Sequence, residues 1–445
     1  MTEELRNLKF FIRTFGCQMN ESDSERIAGI LRQAGAIKTD RLEELEEEDI
    51  LIVNTCAVRQ KSEEKLYSYL GRLARLKRKK PVQVGVTGCV AQLRGPELLQ
   101  KKFDLDFILG PDNYGQLPRL IQKGLAKKHI STSWSKEWQE TQPDLILREN
   151  AVSAYVTIME GCDNFCTYCI VPFTRGREKC RPLRSILTEV SSLADRGYKE
   201  IQLLGQNVNS FRDPESGKGF PQLLEEISRI EGIAWVRFLT SHPKNFSLEI
   251  GKIMAGTRTI CRQLHLPLQS GSTTLLRKMR RGYTKDDYLN KVAWLRRLMP
   301  EISLSTDIIV GFPGETDKDF EETLEVLGEV RFANIFSFCY SPRPLTEASK
   351  FEDTVPLDEK RSRLKEVQRL QKKIQLQSHS RLVGRVMPVL CLGRGAKTPH
   401  LYAGRNEGYQ VVNFRSEQDF TGRFVDVRIT AYGPFSLSGE RLDGR

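Results

Sequence analysis

The chain has 445 residues, 39% of them hydrophobic, and carries a formal charge of +12. That length suggests about three domains of roughly 150 residues, with more than one buried core. The charge favours a polyanionic partner such as RNA. No run of 18 apolar residues is available to span a membrane, and the charged start "MTEELRNLKFFIRTF" lacks the apolar stretch of a signal peptide, so a cytoplasmic protein is expected. Ten cysteines in such a chain point to metal binding or catalysis rather than to a disulfide framework.

Residues 1–145 alternate strand and helix signals. "FFIRTFGC", "DILIVNTC" and "PVQVGVTGC" read as strands, separated by the helical "SDSERIAGILRQAGA" and the basic "KSEEKLYSYLGRLARLKRKK". This alternation implies a parallel sheet covered by helices. Each of these strands ends on a cysteine: Cys17, Cys56 and Cys89. The carboxyl ends of strands in an open parallel sheet meet at one crevice, so the three thiols are expected to converge. The acidic "EELEEED" at 43–49 reads as a solvated helix face, and the polar 129–150 as a linker.

A second β/α series fills 150–380. Its strands are "AYVTIME", "KEIQLLGQN", "WVRFLTSHP", "RQLHLPLQSG", "ISLSTDIIVGF" and "NIFSFCYSPRP". Six βα units predict a partial TIM-like barrel, short of the eight that close one. After the helical "LDEKRSRLKEVQRLQKKIQLQSHSRL", residues 381–445 change to short alternating segments with Gly, Asn and charged turns, the pattern of a small antiparallel β-barrel.

Within "EGCDNFCTYC", Cys162, Cys166 and Cys169 follow the CxxxCxxC spacing. A structural zinc site takes four protein ligands. Thiolates also hold iron–sulfur clusters, and three of them on a four-iron cubane leave one iron free for a small molecule. Any one of Cys17, Cys56 and Cys89 can be a buried small hydrophobe. Three successive strand ends each bearing Cys favour a second three-thiolate cluster. Cys261, Cys339 and Cys391 sit singly in apolar stretches and read as core, while Cys180 is open between an inert thiol and a fourth ligand.

CxxxCxxC directly after the first strand of a βα barrel resembles the radical S-adenosylmethionine (SAM) superfamily. Together with "TFGCQMNESDSE", "NTCAVRQKSEEK", "TGCVAQ", "CTYCIVPFTRGRE", "LLGQNVNS", "LHLPLQSGS" and "TDIIVGFPGET", it resembles the radical SAM methylthiotransferase family across essentially the whole chain. "YSPRPLTEAS" departs from the family's usual Gly-Thr-Pro, and Cys180 from its usual Ser. The resemblance implies an N-terminal cluster domain, a (βα)6 radical SAM barrel and a C-terminal TRAM barrel. It implies a transferase with two [4Fe-4S] clusters, on Cys17/Cys56/Cys89 and on Cys162/Cys166/Cys169. One SAM would methylate a sulfur held at the first; a second, cleaved at the other, would give a 5′-deoxyadenosyl radical. "GCQMN" favours the branch acting on tRNA, at C2 of N6-isopentenyladenosine 3′ of the anticodon (adenosine-37). The alternatives are another modified adenosine, a ribosomal-protein aspartate or, in a different class, a non-catalytic iron–sulfur RNA-binding protein. The implied partners are the tRNA anticodon stem-loop and an electron donor such as flavodoxin or ferredoxin, with the sulfur donor left open.

Among softer assignments, Tyr168 sits where the family places an aromatic against the SAM adenine. Gln206 and Asn207, at a strand end, are candidates for the cofactor or substrate. Ser241, Asp307 and Gly311 complete the cofactor set. For RNA, the basic segments nominate Lys77, Arg78, Lys79, Lys80, Arg280 and Arg281 as phosphate contacts. The last 65 residues add ten Lys/Arg against six Asp/Glu, with Tyr402, Phe414 and Phe435 as stacking candidates.

Overall fold

A computed structural model of the chain describes residues 5–101, 103–122, 128–140, 143–395, 398 and 400–442. Its first sheet is parallel throughout. The strands β1 (Lys9–Phe15), β2 (Ile37–Lys38), β3 (Ile50–Thr55), β4 (Gln83–Thr87), β5 (Phe107–Leu109) and β6 (His129–Ser131) lie in the order 2-1-3-4-5-6. Every residue of β3 and β4 is buried. Helices on both faces demand apolar side chains on both, which is why "ILIV" and "VGV" run unbroken.

Two expectations are corrected here. The segment read as a linker opens with β6, which extends the sheet by pairing His129 with Phe107. Residues 43–49 form no helix face beyond a single 3₁₀ turn, Leu42–Glu44. Asp49 competes with a helix here: its carboxylate accepts from the backbone N–H of Lys9, at the start of β1, and from that of Glu46 in its own turn.

The central region begins with β7 (Ser153–Thr157), followed by β8 (Met159–Glu160) and β9 (Lys179–Cys180), a short antiparallel pair that brackets the CxxxCxxC loop. Then β10 (Glu200–Leu204), β11 (Trp235–Phe238), β12 (Gln263–His265), β13 (Ser303–Val310) and β14 (Asn334–Cys339) complete two parallel sheets, β7-β10-β11 and β12-β13-β14. An isolated bridge, Val236 to Ile260, sets the chain just before β12 beside β11. Among the described residues no pairing links β14 back to β7, so the barrel is partial as expected. Alternation along β13 is strict: Leu304, Thr306, Ile308 and Val310 are buried, and Ser303, Ser305, Asp307 and Ile309 are half-buried. The first set includes members of the main apolar core; the second faces the lumen.

The N-terminal domain straddles the open side. Ser22, on the helix Gln18–Gln33, meets Thr157 of β7. On the other edge Arg59, three residues past Cys56, lies over the rings of Phe336 and Phe338 on β14.

The helix Leu357–Ser380 leads to a closed barrel of β15 (Val386–Arg394), β16 (Leu401–Asn406), β17 (Val411–Arg415), β18 (Phe424–Tyr432) and β19 (Leu437–Arg441). It is antiparallel except for β17–β19. The chain crosses from β17 to pair β18 with β15, and β19 returns into the remaining gap beside β17. The β16–β17 turn enters the foot of the central barrel. There Tyr409 donates to Gln202, and the fully buried Arg237 donates to the carbonyls of Asn406 and Glu407 and to the carboxylate of Glu200. No helix among the described residues is long and apolar enough to cross a membrane.

Candidate active site

Cys17 caps the helix Gln18–Gln33, Cys56 follows β3 and Cys89 opens the helix Cys89–Gln100. A buried amide pair ties the Cys17 and Cys56 loops together. Asn20 donates to the Asn54 carboxamide oxygen at 3.2 Å, and Asn54 donates to the Asn20 carbonyl and the Ser24 hydroxyl at 2.9 Å. Both Asn side chains are fully buried, so each unmade bond would carry its full desolvation cost. The thiols interact: a hydrogen bond from Cys56 holds the Cys17 thiol down at about 6, whereas Cys56 is pushed well up. Burial pushes Cys89 up, opposed by Arg175, whose Nε–H donates to Cys89 Sγ at 3.2 Å.

The second trio leaves β8 through Gly161, which has φ +81° and N–H donating to the Gln206 carboxamide. A Cβ there would lie 2.0 Å from the Arg177 carbonyl oxygen. Gly161→Ala is therefore expected to cost about 2 kcal/mol or more, seen as a lower Tm together with a lower iron stoichiometry. Cys162 Sγ accepts from Asn164 at 3.4 Å, and Cys166 Sγ accepts from Arg281 at 3.4 Å and faces His242 Nε2 at 4.0 Å. Burial holds His242 down at about 2, hence neutral, and its Nδ1 accepts from the Lys244 N–H. The proton therefore sits on Nε2, directed at Cys166. Burial lifts Cys162, and lifts Cys169 to about 12.

The other expected cofactor residues surround this loop unevenly. Tyr168 packs edge-on to Phe312, with its hydroxyl 3.4 Å from Arg281. Asn207 and Ser241 are buried, and Asn207 Oδ1, Ser241 Oγ and the neighbouring Asn209 Oδ1 have no hydrogen-bond partner among the described residues. Asp307 lies in the lumen, 3.3 Å from His265 Nε2. Gly311 answers to packing: the Lys360 stem stands 2.2 Å from where its Cβ would be.

Two of the six nominated RNA contacts are corrected. Arg281 is buried, donating to Cys166, Tyr283 and the Pro267 carbonyl, and cannot meet a phosphate. Lys77 is largely covered and paired with Asp106 at 2.6 Å. Lys80 turns its ammonium onto the Leu45 carbonyl, and Arg280 pairs with Glu347 in solvent. Arg78 and Lys79 are exposed.

Sequence reading passed over Asn20, Asn54, Asp23, Arg175 and His265. Single polar residues inside motifs carry no mark of their partners, which here lie 34 to 152 residues away. Cys180 sits on β9 against the barrel core and accepts from the Arg212 N–H, apart from the loop cysteines.

Among the described residues no group of three or more His, Cys, Asp or Glu is arranged to hold a metal ion. A four-iron cluster spreads its thiolates wider than one ion does, so the fit rests on the donor chemistry. Each site offers three thiols and buried polar atoms without partners among the described residues: Thr55 Oγ1 and Thr87 Oγ1 just before Cys56 and Cys89, and the Asn207, Asn209 and Ser241 oxygens beside the second loop. Both donor sets suit a sulfur-rich cluster, and the second also suits a polar cofactor.

Three family models match in chain order: "Uncharacterized protein family UPF0004" over 9–110, "Radical SAM superfamily" over 156–327 and "TRAM domain" over 380–442. The tRNA-2-methylthio-N(6)-dimethylallyladenosine synthase of Clostridium novyi is 43% identical over 444 residues, covering 99% of this chain and 98% of the relative. That of Thermodesulfovibrio yellowstonii is 43% identical over 431 residues, covering 97% and 98%. Among solved structures, the radical SAM methyltransferase TsrM of Kitasatospora setae superposes with a TM-score of 0.57 over 77% of each chain at 16% identity, a likeness of fold. Near-complete relatives at this identity and three matching models in one order establish that the chain belongs to the radical SAM methylthiotransferase family.

Proposed function

We propose that this protein transfers a methylthio group to C2 of N6-isopentenyladenosine-37 in tRNA, carrying a [4Fe-4S] cluster on each thiol trio and consuming two SAM. The observation carrying the reading is the near-full-length match to tRNA-2-methylthio-N(6)-dimethylallyladenosine synthases, in a chain whose barrel domain meets Cys89 of the N-terminal trio at a domain interface. Arg175, six residues beyond Cys169, touches Cys89 across that interface. The C2–H is aromatic and unactivated, and the bound clusters with SAM supply the radical and sulfur-transfer chemistry that acid–base groups cannot.

The chain's own residues position and exclude. The Asn20–Asn54 pair holds the Cys17 and Cys56 loops together, and Gln206 holds the loop of the second trio at Gly161. His242 and Arg281 direct N–H groups at Cys166, while Ser241, Asn207 and Asn209 keep oxygens free for the polar end of SAM. The N-terminal domain lies against both edges of the open barrel, with Arg59 over the rings of Phe336 and Phe338 on β14. In this reading residues 1–145, 150–380 and 381–445 are the cluster, radical SAM and TRAM domains, working in the cytoplasm with a flavodoxin- or ferredoxin-type donor. Nucleosides from the tRNA of cells lacking the protein should retain isopentenyladenosine and lose its 2-methylthio derivative. Undiminished derivative would refute the proposal.

Phosphate contact should make tRNA affinity fall steeply with salt. Because Lys77 and Lys80 are engaged internally, the helix Gln60–Lys77 and its end offer Arg75, Arg78 and Lys79 instead. Neutralising these three should lower the slope of log affinity against log salt by about 2 to 3. Tyr402 and Phe414 stack on each other in the barrel core, whereas Phe435 is 81% exposed. Phe435→Ala should weaken binding by about 1–3 kcal/mol if that ring stacks on a loop base. Filter binding across a salt series measures both.

A further inference from the structure

Each thiol trio has one buried arginine on one of its sulfurs, but the two are compensated differently. Arg281, on Cys166, is held by the Tyr283 hydroxyl and the Pro267 carbonyl. Arg175, on Cys89, is clamped through both terminal nitrogens by Asp23, at 3.2 Å for the Nη1–Oδ1 contact. Asp23 also accepts from the buried Tyr114 hydroxyl at 3.3 Å. Arg175 and Asp23 are each 3% exposed. The guanidinium belongs to the barrel domain, while the sulfur and the carboxylate belong to the N-terminal domain.

This geometry is specific. A planar guanidinium presents its terminal nitrogens to one carboxylate as a fork, and the fork fixes where the remaining Nε–H points. Here it points at Cys89. Hydrogen bonds to the sulfurs, together with net charge, set the reduction potential of iron–sulfur clusters, and residues behind the ligands tune the metal as well as orient it. An N–H donor and a cation stabilise the state with one more electron. Asp23 opposes the charge of Arg175 while aiming its N–H.

We propose that Arg175, aimed by Asp23, is the positioning residue of the N-terminal trio, and that it raises the reduction potential of the cluster held there by hydrogen-bonding Cys89. Because the donor comes from the barrel, the potential belongs to the docked pair of domains. The inference rests on the reading of Cys17, Cys56 and Cys89 as cluster ligands.

The test is a dithionite redox titration followed by electron paramagnetic resonance, on the full chain with Cys162, Cys166 and Cys169 replaced by Ala. Arg175→Gln should shift the reduction equilibrium at least tenfold against the reduced cluster, about 59 mV downward for one electron. Asp23→Asn, which removes the opposing negative charge and keeps the donor, should shift it upward. A residue needed only for docking would move both variants in one direction or not at all, and either result overturns the proposal. If Arg175→Gln does not retain iron, Arg175→Lys and Asp23→Asn decide. Lys keeps the charge and loses the aimed Nε–H, so a fall for Lys with a rise for Asn supports the role, and any other pattern ends it. A parallel chain with Cys17, Cys56 and Cys89 also replaced should hold no cluster. If it does, the ligand reading fails and this inference with it, whereas unmoved potentials in a chain whose iron tracks those cysteines overturn this inference alone.

Discussion

Given reductant, SAM, sulfide and tRNA bearing isopentenyladenosine next to the anticodon, the reconstituted protein should yield digested nucleosides heavier by one CH2S unit, because SCH3 replaces H. S-adenosylhomocysteine should report the methyl transfer, and 5′-deoxyadenosine with methionine the radical step. The two trios should separate these products. A chain lacking Cys162, Cys166 and Cys169 should make no 5′-deoxyadenosine, which puts its loss of modification at background. A chain lacking Cys17, Cys56 and Cys89 should still cleave SAM while adding no sulfur. Liquid chromatography with mass detection reads every arm. A wild-type protein that modified a ribosomal-protein aspartate and left this tRNA untouched would place it in the other branch of the family.

Iron content should show the same division independently of turnover. Anaerobic reconstitution is expected to load about eight irons per chain, four at each trio. Replacing either trio by Ala should halve that figure and leave the other cluster's spectrum intact. The backbone anchors of the loops are separate: the Asn20–Asn54 pair joins the Cys17 and Cys56 loops, and the other trio's loop is held by Gln206, Gly176 and the β8–β9 bracket. Full iron in either triple variant would remove that trio as a ligand set.

Much of the architecture was legible because it is periodic or punctuated. Alternation along β13, unbroken apolar runs in β3 and β4, and cysteines at three strand ends are local signals that any parallel α/β arrangement must obey. The CxxxCxxC spacing is equally local, since one tight loop holds all three thiols. What misled was charge. Lys77 and Arg281 stand in basic runs that look alike on paper, yet one pairs with Asp106 and the other lies buried on Cys166. A basic run reports average composition, whereas the role of each member depends on which carboxylate or carbonyl the fold brings to it.

By itself, then, the sequence marked a cysteine at each of three strand ends, the CxxxCxxC loop, the six βα units and the change to a terminal β-barrel, because each is written in local pattern. Only the tertiary structure decided that β6 joins the first sheet, that the β16–β17 turn enters the foot of the central barrel, and that Arg175 reaches 86 residues back to Cys89 while gripping Asp23. These are contacts between segments distant in sequence. Side chains such as Arg175 and Asp23 have no local reason to be buried; each is tolerated there only because the other arrives to satisfy its charge.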